Sequence, residues 1–133
     1  MSWQCEVLCP GEAEGTVLRL AEPLSFWGGV DPANAKIIQV KHPQVGETIA
    51  DKILVIPRLI GSSSSSAVLL ELLYRARAPR ALVLGAGDAI LPVGCVVARQ
   101  MGWTTIPVFA LDRPPFQTND HVVLAQSGRI EIV

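Results

Sequence analysis

The chain has 133 residues, of which 50% are apolar and 17% are charged, and its formal net charge is −1. This length suits one domain with a sizeable core, so we expect a single domain over residues 1–133. The weak net charge excludes the basic surface that nucleic acid requires, and the apolar content excludes intrinsic disorder.

Apolar periodicity predicts a chain of short strands with two helices in its second half. The strands are expected at 6–8, 16–20, 37–40, 53–56, 81–84, 106–109, 121–125 and 130–133. The first helix, over 63–77, has an apolar face, whereas the second, over 90–101, is apolar nearly all round and must be buried. Many strands with two helices predict a mixed α/β domain that carries both helices on one side of the sheet structure.

Neither the N-terminal segment nor the most apolar stretch of the chain indicates a membrane span or an export signal. The N-terminal MSWQCEVLCP lacks the basic and apolar regions of a secretory signal. Residues 81–98 are nearly uncharged, but glycine, proline and aspartate interrupt them, which favours a strand, a turn and a helix over a membrane span. We therefore expect a cytoplasmic protein that does not bind membranes.

Cysteine and histidine are too few and too scattered for a metal centre. Cys5, Cys9 and Cys95 are expected to be free thiols, because a cytoplasmic chain rarely holds a disulfide framework. With only His42 and His121 in addition, no zinc or iron–sulfur ligand set is apparent. We expect this chain to bind no metal, and we expect His42 to be a surface-loop residue without a catalytic role.

The segment GSSSSS, residues 61–66, joins a predicted strand to the first predicted helix. A flexible linker is excluded, because no second domain follows that a linker would separate. Serine is a preferred N-cap, and a helix N-terminus also offers free amides and a positive dipole to an anion. Capping alone and a functional anion or hydroxyl site are both open on this segment alone. Asp88 is likewise at an expected N-cap, before the second helix.

A second motif, SFWGGVDP at residues 25–32, combines a glycine pair with a rigid Asp-Pro turn. Three further segments are GEAEG at 11–15, APRALVL at 78–84 and IPV at 106–108. In this order, and with the GSSSS segment at 61–65, they resemble the small subunit, or swivel domain, of the aconitase X family over about residues 8–111.

This resemblance implies a fold, a partner and a set of site residues. The aconitase swivel is a compact β/β/α domain that closes over an iron–sulfur cluster on a larger partner subunit. Its glycine–serine–serine turn supplies the serine that takes the substrate's proton, which implies Ser62 as the catalytic residue here. Gly61, Ser63 and Ser64 would contact the substrate, and Asp31 would either orient its own turn or reach the active cleft.

The same resemblance indicates a substrate class. The segment GSSSSSA is closer to the bacterial form associated with dehydration of cis-3-hydroxy-L-proline than to the GSTVGSY-like turn of archaeal relatives that dehydrate phosphomevalonate. In aconitase itself an arginine follows the serine pair, whereas this chain has Ser64, which argues against a tricarboxylate. Phosphomevalonate dehydration is one alternative, and a non-catalytic module that binds an anion and regulates a partner is another.

The energetics of proton transfer predict that the chain alone is inactive. Forming a serine alkoxide near neutral pH requires a pKa shift of about 8 units, or about 11 kcal/mol, if bulk water is taken as a proxy for the alcohol. A helix N-terminus supplies at most about 2 kcal/mol of this. The remainder must come from a closed site with a metal or cations, so a large partner subunit is expected.

Overall fold

The computed structural model describes residues 1–60, 63–86 and 90–133. Within these residues the chain forms eight strands and two helices. In chain order they are β1 (Ser2–Gln4), β2 (Glu6–Cys9), β3 (Ala13–Arg19), β4 (Ile53–Ile56), α1 (Ser65–Tyr74), β5 (Ala81–Leu84), α2 (Ile90–Gln100), β6 (Val108–Ala110), β7 (His121–Leu124) and β8 (Arg129–Ile132).

All eight strands belong to one sheet in the order β1-β8-β7-β3-β4-β5-β6-β2. The ladders β3–β4, β4–β5 and β5–β6 are parallel, and the other four are antiparallel. The first and last strands of this order, β1 and β2, are separated in the chain by Cys5 alone. The two ends of the sheet are therefore joined through Cys5, and the sheet rolls up on itself.

Two apolar clusters fill the two sides of the rolled sheet. In β4, Leu54 and Ile56 belong to the cluster that also contains the buried residues of both helices, whereas Ile53 and Val55 belong to the cluster inside the roll. This alternation is the two-residue period of a strand with both faces buried. Because the second cluster contains no residue of α1 or α2, both helices pack on one side of the sheet, as the sequence predicts.

Most predicted elements are confirmed, and the differences have local causes. The strands at 53–56 and 81–84 have the predicted bounds, and α2 ends one residue earlier than expected. The first helix is shorter than its predicted range of 63–77. At its C-terminal end Ala76 has a φ of +56°, while its amide bonds the Leu73 carbonyl and the Arg77 amide bonds the Leu72 carbonyl. This is a Schellman motif, and because its left-handed residue is usually glycine, an alanine at that position does not predict it from the sequence.

The N-terminal half contains one strand that the sequence did not predict, and two predictions about it are wrong. The unpredicted strand is β1. The predicted strand at 37–40 does not form, because Ile37 makes only an isolated bridge to Val30 and Val40 is 86% exposed. His42 is buried rather than on the surface: its Nδ1 accepts a hydrogen bond from the Gln44 amide (3.1 Å), so its Nε2 carries the proton and donates to the Glu22 carbonyl (3.1 Å).

No helix in residues 1–60, 63–86 and 90–133 is long and apolar enough to cross a membrane.

Candidate functional site

The loop of residues 25–32 lies directly against the start of α1. The backbone amide of Trp27 donates a hydrogen bond to Oγ of Ser65, the first residue of that helix, at 3.2 Å. Oγ of Ser25 donates to the carbonyl of Trp27 at 2.9 Å, and the side chain of Phe26 is fully buried. The fold thus joins the two motifs that the sequence presents 38 residues apart.

The two glycines of this loop serve different purposes. Gly28 has a φ of +77° and open space where a side chain would be, so its requirement is conformational. Gly29 does not have a positive φ, but a Cβ there would lie 2.0 Å from the carbonyl oxygen of Ser25. Its requirement is steric, because the turn folds back on its own backbone.

Asp31 forms the turn that closes this loop. Its Oδ1 accepts a hydrogen bond from the amide of Ala33 at 2.9 Å, and its carbonyl oxygen accepts one from the amide of Ala35 at 2.8 Å. The amide of Asp31 donates to the carbonyl of Lys36 at 2.9 Å. Within the described residues its hydrogen bonds stay inside residues 31–36, so the structure supports the turn role, and substrate contact stays a prediction.

Gly61 and Ser62 of the serine segment lie outside the described residues, as does Asp88, the predicted N-cap of α2. Ser63 and Ser64 are exposed just before α1. Ser64 is at the N-cap position with helical angles (φ −66°, ψ −10°), which differ from the extended conformation in which a serine usually caps. The substrate contacts assigned to Gly61, Ser63 and Ser64, and the catalytic role of Ser62, stay predictions.

Ser65 has a role that the sequence analysis missed. Its side chain is only 4% exposed and fixes the loop through the Trp27 amide. The sequence did contain a signal for this burial, because Ser65, Val68, Leu69 and Leu72 follow the i, i+3, i+4, i+7 spacing of one buried helix face. The serine nearest the apolar run is therefore part of the packing.

The two helices pack closely near their N-terminal ends. A Cβ at Gly94 of α2 would lie 3.1 Å from the carbonyl oxygen of Ser66 in α1 and 3.6 Å from a methyl group of Leu69. The absence of a side chain at Gly94 allows this approach. The start of α1 is thus supported by the loop of residues 25–32 at Ser65 and by α2 at Ser66.

The three cysteines are buried free thiols. Burial raises the pKa of Cys5 to about 11 and that of Cys95 to about 12, so both are neutral at physiological pH. A guanidinium nitrogen of Arg99 lies 3.6 Å from Sγ of Cys9. No group of three or more His, Cys, Asp or Glu side chains that would hold a metal occurs in the described part of the chain. These thiols accordingly belong to the packing of the domain.

Comparison with known proteins identifies relatives of the whole chain. A family model described as the aconitase X swivel domain matches residues 2–132. A protein of Hypocrea jecorina named cis-3-hydroxy-L-proline dehydratase is 43% identical over 107 residues, which are 80% of this chain and 18% of that protein. The chain therefore spans less than a fifth of the length of that relative.

Two further relatives are covered along most of their length. A phosphomevalonate dehydratase small subunit of Methanothermobacter thermautotrophicus is 38% identical over 98 residues, which are 74% of this chain and 75% of that one. The crystal structure of Thermococcus kodakaraensis aconitase X in its holo-form contains a chain that matches with a TM-score of 0.90 at 32% identity, covering 100% of this chain and 98% of that chain.

Proposed function

The chain belongs to the aconitase X swivel domain family, and from this premise we propose that it is the small subunit of a hydro-lyase that dehydrates cis-3-hydroxy-L-proline to Δ1-pyrroline-2-carboxylate. The observation that carries the proposal is the 43% identity to a relative named for that reaction. The segment GSSSSSA, which resembles the bacterial form of the serine turn, supports the same substrate.

Ser62 is the proposed proton acceptor, and it removes the hydrogen from C2 of the substrate while the hydroxyl leaves C3. The resulting enamine tautomerises to the cyclic imine. Backbone amides around Ser62 to Ser64 hold the substrate carboxylate in this proposal, since a helix N-terminus favours an anion. The loop of residues 25–32, bonded to Ser65, keeps the start of α1 in place.

A large aconitase X-like subunit is the proposed partner, and it carries the iron–sulfur cluster expected from the resemblance. The resemblance to the aconitase X family is what supports placing the cluster on the partner. When bound, such a cluster supplies a Lewis acid for the leaving hydroxyl. This chain contributes the base and the positioning of the substrate, and the isolated chain is expected to be inactive.

Dehydration of phosphomevalonate is the second candidate. It is favoured by the 38% identity to a small subunit of that enzyme, which the chain covers along 75% of its length. Both candidates assign the same role to Ser62, so they differ in the substrate rather than in the chemistry of this chain.

The test is to reconstitute the chain with its large partner and to measure turnover of both substrates by the unmutated complex. Ser62→Ala is then compared with Ser64→Ala. Loss of a general base lowers the rate by about 10²–10⁴-fold, whereas loss of a helix cap costs only about 0.5–2 kcal/mol of stability. We expect Ser62→Ala to lose turnover while it keeps its melting temperature and its binding to the partner.

A near-normal rate for Ser62→Ala would refute the catalytic assignment. Equal losses in Ser62→Ala and Ser64→Ala would show that the segment acts as a unit and that no single base can be assigned. Turnover of phosphomevalonate alone would select the second candidate. A complex that turns over neither substrate, yet responds to a bound anion, would identify a non-catalytic regulatory module.

A further inference from the structure

A cleft lies at the edge of the sheet where the four parallel strands β3, β4, β5 and β6 end. Its volume is about 280 Å³. Its lining comes from the ends of all four strands: Arg19 of β3 and Leu20 after it, Val55 of β4 and Pro57 after it, Gly85 after β5, and Asp112 after β6. In α/β proteins, with open or closed parallel sheets, ligands commonly bind at the carboxyl ends of the parallel strands. The volume is just below the lower limit of about 300 Å³ for ligand pockets, so a ligand here must be small.

The cleft contains two positive charges and one negative charge. Arg113 lines it together with Arg19 and Asp112. Nη1 of Arg19 donates hydrogen bonds to the carbonyls of Pro114 and Phe116, so this guanidinium is held in a fixed position by backbone. Among the described residues the ion pairs are Arg75–Glu71, His121–Glu14 and Arg129–Glu131, and none includes a charged residue of the cleft.

The half-buried guanidinium of Arg19 therefore has carbonyl oxygens as partners but no carboxylate counter-charge among the described residues. A charge that loses part of its hydration is stabilised by an opposite charge. Guanidinium groups match the geometry of carboxylate and phosphate oxygens, and a guanidinium that is already held in place loses little freedom on binding. These properties favour an anion in the cleft.

We propose that this cleft binds a small oxyanion, a carboxylate or phosphate group, between the side chains of Arg19 and Arg113. Leu20, Val55 and Pro57 offer apolar contact to the carbon atoms that carry such a group. The inference goes beyond the proposed function, because it requires neither Ser62 nor a partner subunit. It is therefore tested on the chain alone, without an activity measurement.

The experiment titrates the ¹⁵N-labelled chain with inorganic phosphate and, separately, with acetate at constant ionic strength. We expect saturable shifts of the amide resonances of Leu20, Gly85 and Arg113. Arg113→Gln should weaken binding about tenfold, since hydrogen bonds between charged groups are among the strong ones. Asp112→Asn should strengthen binding several-fold, because it removes the carboxylate that repels the anion.

Arg77→Gln is the matched control, because Arg77 is exposed beyond the C-terminal end of α1 and carries the same charge. Its affinity should stay within about twofold of the unmutated chain, as expected for a screened distant charge. Saturation by phosphate alone would define a phosphate site, and saturation by acetate as well would define a general oxyanion site. Absence of saturable shifts with both ions, or equal weakening in Arg113→Gln and Arg77→Gln, would overturn the proposal.

Discussion

Replacing Gly29 by alanine is expected to destabilise the fold more than the same replacement at Gly28. At Gly28 a Cβ would meet open space, so the destabilisation comes only from the positive φ of +77°, which is unfavourable for alanine. An alanine at Gly28 adds about 1–2 kcal/mol of backbone strain to the folded state, but it also reduces the conformational entropy of the unfolded chain, which stabilises the fold by about 0.4–1 kcal/mol. The net destabilisation is therefore about 1 kcal/mol. At Gly29 the new Cβ would lie 2.0 Å from the Ser25 carbonyl oxygen and 3.1 Å from Oε1 of Gln39. Relieving that overlap moves backbone, at a cost of about 3 kcal/mol or more.

The physical reason is that the Ser25 oxygen cannot move alone. The turn that contains it includes the hydrogen bond from the Val30 amide to the Phe26 carbonyl, and the Phe26 side chain is fully buried. Equilibrium unfolding in urea measures both variants, with the slope of the transition as a check on two-state behaviour. Gly46→Ala is the control, because Gly46 also has a positive φ (+93°) and open space. It should match Gly28→Ala. If Gly29→Ala is as stable as Gly28→Ala, the steric account of this loop is wrong.

Two further predictions concern buried polar groups. Burial raises the pKa of Cys5 to about 11 and of Cys95 to about 12 from 9.0, so stability is intact below pH 9 and falls as pH rises toward 12. The free energy of unfolding should fall between pH 8 and pH 10 by an amount on the order of 1 kcal/mol per thiol, which urea unfolding at the two pH values measures. Cys95→Ala should reduce this fall, and an unchanged pH dependence in Cys95→Ala would contradict this account. His42→Ala should lower the free energy of unfolding by about 2–4 kcal/mol, because it leaves the Gln44 amide and the Glu22 carbonyl without their partner. Lys41→Ala is the control, since Lys41 is exposed and its replacement should change that free energy by no more than about 0.5 kcal/mol. Similar melting temperatures for the two variants would refute the role of His42.

The elements that the sequence predicted best are those whose packing is uniform along their length. The runs ILVI at 53–56 and ALVL at 81–84 are buried on both faces, so every residue is apolar and the strand bounds are visible in the composition. The run IIQV at 37–40 is also mostly apolar, but it has no neighbouring strand along its length, and Val40 is exposed. A strand depends on pairing as well as on its own residues, and pairing is not local information.

The candidate site was predictable in its parts but not in its contacts. The motifs at residues 25–32 and 61–66 can be recognised in the sequence. The hydrogen bond between the Trp27 amide and Ser65 cannot, because it joins residues 38 positions apart. The burial of His42 was hidden for a similar reason, since its partner Glu22 lies 20 residues earlier in the chain. Contacts over such distances follow from the fold, and single-residue patterns do not encode them.

The distribution of polar groups supports the expectation that this domain needs a larger partner for the proposed chemistry. Its two clusters are formed by apolar and cysteine side chains and fill both sides of the sheet, so the charged side chains that line the described cleft lie at an edge of the sheet. The edge where the parallel strands end carries the cleft with Arg19 and Arg113, and residues 57–60 leave β4 at the same edge. The charges at such an open edge act in water, where a pair 4 Å apart is worth only about 1 kcal/mol, against the roughly 11 kcal/mol that alkoxide formation requires. A subunit that covers this edge would exclude water and add its own charges, and each electrostatic interaction there would strengthen as the dielectric constant falls. We therefore expect the proposed partner to bind over the ends of the parallel strands.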